Sequence, residues 1–137
     1  MLGNFTFHNP TKLYFGENSL ENLGKELGKY GEKVMLVYGG GSIRKNGIYD
    51  AVLAELRKAG KQTVELSGVM PNPTIEKVME GVALARKEAV DLILAVGGGS
   101  VCDYCKAVAR SAYCEQDPWK YYFNNFGEMT CRWIPVG

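Results

Sequence analysis

Short apolar runs along the chain alternate with stretches in which apolar residues recur at helical spacing. Val34-Met35-Leu36-Val37-Tyr38 and Leu92-Ile93-Leu94-Ala95-Val96 contain no charged residue. Such unbroken runs suit strands covered on both faces in a parallel sheet. Thr63-Val64-Glu65-Leu66 predicts another strand, and Cys131 to Val136 one more. Between the runs lie four helical stripes. Leu20, Leu23, Leu27 and Tyr30 form the first, capped by Asn18 or Ser19 and stopped at Gly31. Ile48, Val52, Leu53 and Leu56 form the second, between Gly47 and Gly60. Thr74 caps the third, which buries Ile75, Val78, Met79, Val82 and Ala85 and turns Lys77, Glu80 and Arg86 to solvent. The fourth helix runs from the glycines after Val96 through about Ala112. Phe5-Thr6-Phe7 and Lys12 to Phe15, around the Asn9-Pro10 turn, predict an amino-terminal strand hairpin, and Pro118 to Phe123 a short helix.

Alternating strands and helices require right-handed βαβ crossovers. The predicted fold is therefore α/β: a doubly wound, mostly parallel, Rossmann-like sheet with helices on both faces and the amino-terminal hairpin. A length of 137 residues with 46% hydrophobic content matches about one ordinary domain. The last residues, Ile134-Pro135-Val136-Gly137, end as a strand ends, where an α/β chain normally continues, so the chain reads as cut off.

Composition narrows the partners. A formal charge of +1 without a run of either sign gives no footprint for nucleic acid or an anionic membrane. No apolar stretch approaches the roughly 20 residues of a membrane span, and the start lacks the features of a signal peptide. A cytoplasmic location is expected. The four cysteines, Cys102, Cys105, Cys114 and Cys131, crowd into the last third of the chain and are expected to be reduced.

Six of the seventeen glycines fall in two triplets, each at the end of a predicted strand. Gly97-Gly98-Gly99-Ser100 stands between a buried strand and a helix, where free backbone N–H groups and the positive helix end converge. A pyrophosphate fits such a turn, because a Cβ would hold it away from the backbone. The competing reading is a plain tight turn capped by Ser100, but three consecutive glycines exceed what a turn requires. Neither triplet spells the common dinucleotide fingerprint, and a P-loop is absent.

Gly39-Gly40-Gly41-Ser42 makes a second such turn, with Arg44 and Lys45 nearby, so two turns on one sheet could share a dinucleotide. No acidic side chain ends that first strand, while Ser42 and Lys45 suit a 2′-phosphate, which favours NADP over NAD. The alternative is that Arg44 and Lys45 form a solvated helix face. Asp103 and Lys106 could touch the cofactor or form a surface ion pair. Cys102 and Cys105 spell C-x-x-C, but the surroundings of a redox motif are missing. Zinc is unsupported, with His8 the only histidine and expected at the surface. Trp119, Trp133, Tyr121, Tyr122 and Phe123 read as packing anchors.

Phe7-His8-Asn9-Pro10-Thr11 followed by Phe15-Gly16, then Tyr38 to Ile43 with Lys45 and Gly47, Pro71-Asn72-Pro73, and Gly97 to Val101 with Asp103 and Lys106 resemble the amino-terminal half of the iron-containing (class III) alcohol dehydrogenases. The butanol dehydrogenase branch is the most similar. The resemblance runs in order from about Phe5 to Gly137 and implies that residues 1–137 are a dinucleotide-binding domain for NADP or NAD. It implies hydride transfer between a primary alcohol and its aldehyde. It also implies roles: Gly97, Gly98, Gly99 and Ser100 for the pyrophosphate, Gly39, Gly40, Gly41, Ser42, Lys45 and Asn72 for the adenosine end, and Asp103 and Lys106 toward the nicotinamide. The family holds Fe²⁺ or Zn²⁺ through an aspartate and histidines of a carboxyl-terminal helical domain, whose ligands this sequence does not contain. By the same resemblance the parent protein is a homodimer and residues 1–137 are inert alone. The rival readings are a glycerol dehydrogenase, a dehydroquinate-synthase-like lyase and a nucleotide-binding module without catalysis.

Overall fold

The computed structural model describes residues 3–120 and 131–137. Three strands, β1 (Lys33–Tyr38), β2 (Gln62–Leu66) and β3 (Leu92–Val96), form a parallel sheet in the order β2-β1-β3. Five helices accompany them: α1 (Leu23–Leu27), α2 (Ser42–Lys45), α3 (Ile48–Lys58), α4 (Ile75–Lys87) and α5 (Gly99–Ser111).

The missing alternation in β1 has a direct cause. Val34, Leu36 and Tyr38 point into one core with Leu27, Val52 and Leu56, whereas Met35 and Val37 join a second with Val82, Tyr104 and Val108. Both faces of the strand are buried from Val34 to Val37, so these four positions are all apolar. α1 and α3 cover one face and α4 and α5 the other, which is the predicted doubly wound arrangement.

Helix boundaries follow local chemistry. Thr74 is the cap expected for α4, its Oγ1 accepting the Lys77 N–H at 3.3 Å. Gly60 ends α3 with φ +69°, and the Lys61 N–H reaches the Leu56 carbonyl at 3.0 Å, closing a Schellman motif. α4 ends the same way, with Val90 N–H to Ala85 O at 3.1 Å, although the left-handed position is filled by Ala89.

Several expectations need correction. Residues 3–18 contain no strand, and Phe5, Phe7, Leu13 and Phe15 are 79%, 80%, 81% and 96% exposed. A lone two-stranded ribbon is marginal in water. Pro10 removes a ladder donor, and the Thr11 N–H donates instead to Asn9 Oδ1 at 2.9 Å.

The first helix is broken into a 3₁₀ turn at Ser19–Asn22 and the short α1, with no capping bond from Asn18. Gly24 within it and Gly28 at its end weaken the helix, which stops before Gly31. Ile48, Tyr30 and Met79 remain substantially exposed rather than buried.

Arg86 is exposed as expected, but it is held: it donates to the carbonyls of Ala112 and Cys114, tying α4 to the end of α5. Lys77 is also held, to Ser67 O at 3.0 Å and Glu80 at 2.9 Å. The expected last strand shrinks to one parallel bridge between Val136 and Ile93, because Pro135 has no N–H and the Ile134 N–H is taken by Ala109 O. That bridge extends the order on the far side of β3.

Cys114 and Cys131 are joined by a disulfide, against the expectation of four reduced thiols; Cys102 and Cys105 are free. Trp119 and Trp133 are exposed rather than packing anchors, and Trp133 stacks on Arg110 at 4.5 Å. Pro118 to Lys120 are helical, while Tyr121, Tyr122 and Phe123 lie outside the described residues.

Candidate functional site

The strand order puts both glycine turns at one place. From β1 the chain crosses to β2 on one side, and then returns over β1 to β3 on the other. The crevice beyond the carboxyl ends of β1 and β3 is therefore a topological switch point, where open α/β sheets bind ligands. Tyr38 pairs with Val96, so Gly39–Ser42 and Gly97–Ser100 leave neighbouring strands at the same level.

The second turn opens directly into α5. Gly98 is its N-cap, with extended backbone (φ −84°, ψ −169°) and no side-chain capping bond. Its carbonyl receives the N–H groups of Val101 at 3.1 Å and Cys102 at 3.2 Å, while the preceding N–H groups have no partner within the helix. A Cβ on Gly98 or Gly99 would meet no protein atom, whereas one on Gly97 would strike Val101 Cγ2 at 2.7 Å. Gly97 is thus required by packing, and Gly98 and Gly99 leave open space over the helix end. That is the shape a pyrophosphate needs, with charge complementarity from a thirteen-residue helix.

The first turn differs. α2 is a single turn of four residues, separated from α3 by Gly47 in the left-handed region (φ +79°). A Cβ on Gly39 would lie 3.1 Å from the Val69 carbonyl, while Gly40 and Gly41 are unobstructed. A cavity of about 340 Å³ opens here between Tyr38, Gly39–Gly41, Arg44 and the Ser67-Gly68 backbone. Ser42 and Lys45 are exposed at its side, and Asn72 sits exposed in the loop before α4 with φ +50°.

A polar cluster at this cavity was not legible in the sequence. The Tyr38 and Tyr49 hydroxyls donate to Glu65 at 2.8 and 2.7 Å. Arg44 donates to the Tyr38 hydroxyl at 2.8 Å, lies 4.4 Å from the Tyr49 ring centre and stands 3.8 Å from Glu65. The hydrogen bond to Glu65 raises the Tyr49 pKa, and the bond to Tyr38 raises that of Arg44. The absence of an acid at the end of β1 remains correct, but Glu65 supplies one from the adjacent strand. Its position on β2, opposite Leu36, was the available signal.

Asp103 and Lys106 pair at 3.5 Å on the exposed face of α5, the surface arrangement named as their alternative. Cys105 is fully buried, and burial pushes its thiol up to about 12, so this cysteine is kept as a thiol in the core. Among the described residues no group of three His, Cys, Asp or Glu side chains is placed to hold a metal ion, and His8 is exposed. The described residues thus do not fit the Fe²⁺ or Zn²⁺ of the resembling family. No helix among the described residues is long and apolar enough to cross a membrane.

Comparison with known proteins agrees with this geometry. The family model for iron-containing alcohol dehydrogenase matches residues 10–136. A probable NADH-dependent butanol dehydrogenase of Bacillus subtilis (strain 168) is 52% identical over 85% of this chain and 30% of its own length. An NADPH-dependent aldehyde reductase of Escherichia coli (strain K12) is 38% identical over 99% of the chain and 35% of its own length. The crystal structure of an NADH-dependent butanol dehydrogenase from Thermotoga maritima superimposes with a TM-score of 0.88 at 46% identity, covering 97% of this chain and 33% of that one. The chain spans about a third of the length of the relatives it matches. With a doubly wound sheet shared with its structural relatives and a family match across nearly its whole length, this chain belongs to the iron-containing alcohol dehydrogenases.

Proposed function

We propose that residues 1–137 are the dinucleotide-binding part of an NAD(P)H-dependent dehydrogenase that interconverts a primary alcohol and its aldehyde, in the manner of the butanol dehydrogenases. The observation that carries this reading is the side-chain-free amino terminus of α5 at the switch point between β1 and β3. The N–H groups of Gly98, Gly99 and Ser100, with the Ser100 hydroxyl, would hold the pyrophosphate. Gly39, Gly40 and Gly41 would admit the adenosine ribose beside Ser42 and Lys45, with Asn72 at the same end. Asp103 and Lys106 would lie toward the nicotinamide, where they would exchange their mutual ion pair for contacts along the cofactor. The bound nicotinamide supplies the hydride; this chain's residues bind and orient it.

Within this reading NADP is preferred over NAD on the two cations, Arg44 and Lys45, that follow the first glycine turn, with Glu65 the opposing charge 3.8 Å from Arg44. The names of the relatives at 52% and 38% identity point to alcohol or aldehyde redox chemistry rather than a lyase. Homodimerisation and a cytoplasmic location are proposed with the family assignment.

Titration calorimetry of the 137-residue chain with NADPH and with NADH tests the assignment. Saturable binding of both, tighter for NADPH, is the expected outcome. A chain that is folded by circular dichroism yet binds neither would overturn it.

A further inference from the structure

The end of α5 and the segment that returns to the sheet lie side by side in opposite directions. The Ile134 N–H donates to the Ala109 carbonyl at 3.2 Å, Arg110 lies 4.5 Å from the Trp133 ring centre, and Arg132 lies 4.7 Å from that of Tyr113. The next pair outward is Cys114 and Cys131, whose Cα atoms stand 5.7 Å apart, within the roughly 4.4–6.8 Å that a disulfide spans. Three contacts besides the S–S bond therefore keep the two cysteines in register, and a reduced pair stays apposed.

Both redox states find partners at this place. Joined, the sulfurs close a loop between positions 17 apart. As thiols, each has the Arg110 carbonyl oxygen to accept an S–H, at 3.3 Å from Cys114 Sγ and 3.9 Å from Cys131 Sγ. The two differ in access: Cys114 is 9% exposed, and Cys131 is half-buried. Cys102 and Cys105, in the first two turns of α5, are free. Where thiols are kept reduced, a disulfide that forms is ordinarily transient and serves to sense oxidant.

The segment that begins at Cys131 covers the far edge of β3. The Ile93 and Ala95 N–H groups donate to the Pro135 and Gly137 carbonyls at 2.9 and 2.8 Å, and the Gly137 N–H returns a bond to Ile93 O at 2.9 Å. A bond at Cys131 fixes the start of that cover.

We propose that Cys114 and Cys131 are a reversible thiol–disulfide pair, a clasp that a small disulfide of the glutathione class closes, locking residues 131–137 onto α5 and β3. Cys131, the accessible thiol, gives up its proton and attacks one sulfur of glutathione disulfide, so that the S–S bond of the reagent breaks and one glutathione leaves. Cys114 then attacks the Cys131 sulfur of the mixed disulfide, and the second glutathione leaves. Two protein thiols are oxidised to one disulfide, while one glutathione disulfide is reduced to two thiols that take up the two protons.

The 137-residue chain, equilibrated with mixtures of reduced and oxidised glutathione, alkylated under denaturing conditions and weighed by mass spectrometry, tests the pair. Four alkylated cysteines are expected in reduced glutathione and two, Cys102 and Cys105, in oxidised, with a return to four when reduced glutathione is restored. Cys114→Ser should accumulate one glutathione on Cys131, and Cys131→Ser at least about tenfold less, its remaining thiol being buried. Amide hydrogen exchange at Ile93 and Ala95 should slow at least about tenfold on oxidation, and by more than in β1.

Four alkylated cysteines at every ratio would overturn the proposal, as would two at every ratio or a bond that includes Cys102. The parent titration decides this even where a serine variant fails to fold. Glutathione collecting on Cys131→Ser instead of Cys114→Ser would sink the order of attack. Exchange that slows equally throughout the sheet, or not at all, would remove the clasp.

Discussion

Individual side chains in this chain are governed by what reaches them from distant segments, and Glu26 is an instance. It gathers Lys29 at 2.6 Å, the Tyr14 hydroxyl at 2.6 Å and Lys12 at 3.2 Å, so that its carboxylate drops from 4.5 to about 2. Lys29 is the largest cause, followed by Tyr14 and Lys12. Because the folded value is depressed, the contribution to stability is complete above the unfolded value of 4.5 and is lost as pH falls through about 2. The side chain is partly exposed, so solvent and salt weaken the effect. Urea unfolding of the parent and of Glu26→Gln between pH 6 and pH 2 should show the parent ahead at the upper end and the two converging toward the lower. A difference that is the same at every pH would refute the assignment.

Secondary-structure elements were legible at most places where the sequence carried a period or a stop, the broken first helix being one exception. The two unbroken apolar runs became β1 and β3, Thr74 capped α4, and Gly60 closed α3. Two features carried no local signal. Ala89 occupies a left-handed position that ordinarily signals glycine. The amino-terminal segment has aromatic residues at strand spacing, yet forms no strand over residues 3–18. Gly81, in mid-helix, carried no turn signal and instead allows α4 and α5 to touch. A Cβ there would lie 2.5 Å from Tyr104 Oη and 2.7 Å from Val108 Cγ2, while the Tyr104 hydroxyl donates to Lys77 O at 2.6 Å. Gly81→Ala is therefore expected to destabilise the chain by about 1–3 kcal/mol, read as a lower urea midpoint at unchanged slope. An unchanged midpoint would mean that the two helices separate freely.

For the molecule as a whole, the two glycine turns were conspicuous in the sequence because triplets of glycine at strand ends are chemically unusual. The strand order that makes them neighbours was not visible; it comes from the crossover of β1 to β2 and back to β3. Likewise the cluster of Tyr38, Arg44, Tyr49 and Glu65 draws on β1, α2, α3 and β2, residues as far apart as twenty-seven positions. On the proposed function, the space over the amino terminus of α5 is kept clear for a phosphate group and serves no purpose in folding. Gly98→Ala tests it most directly, since its backbone is extended and a Cβ there meets no protein atom. Thermal unfolding of Gly98→Ala should stay within about 0.5 kcal/mol of the parent. NADPH affinity of the same sample should fall at least about tenfold, as the methyl group holds the pyrophosphate off the backbone. Full NADPH affinity in a normally folded Gly98→Ala chain would contradict the account.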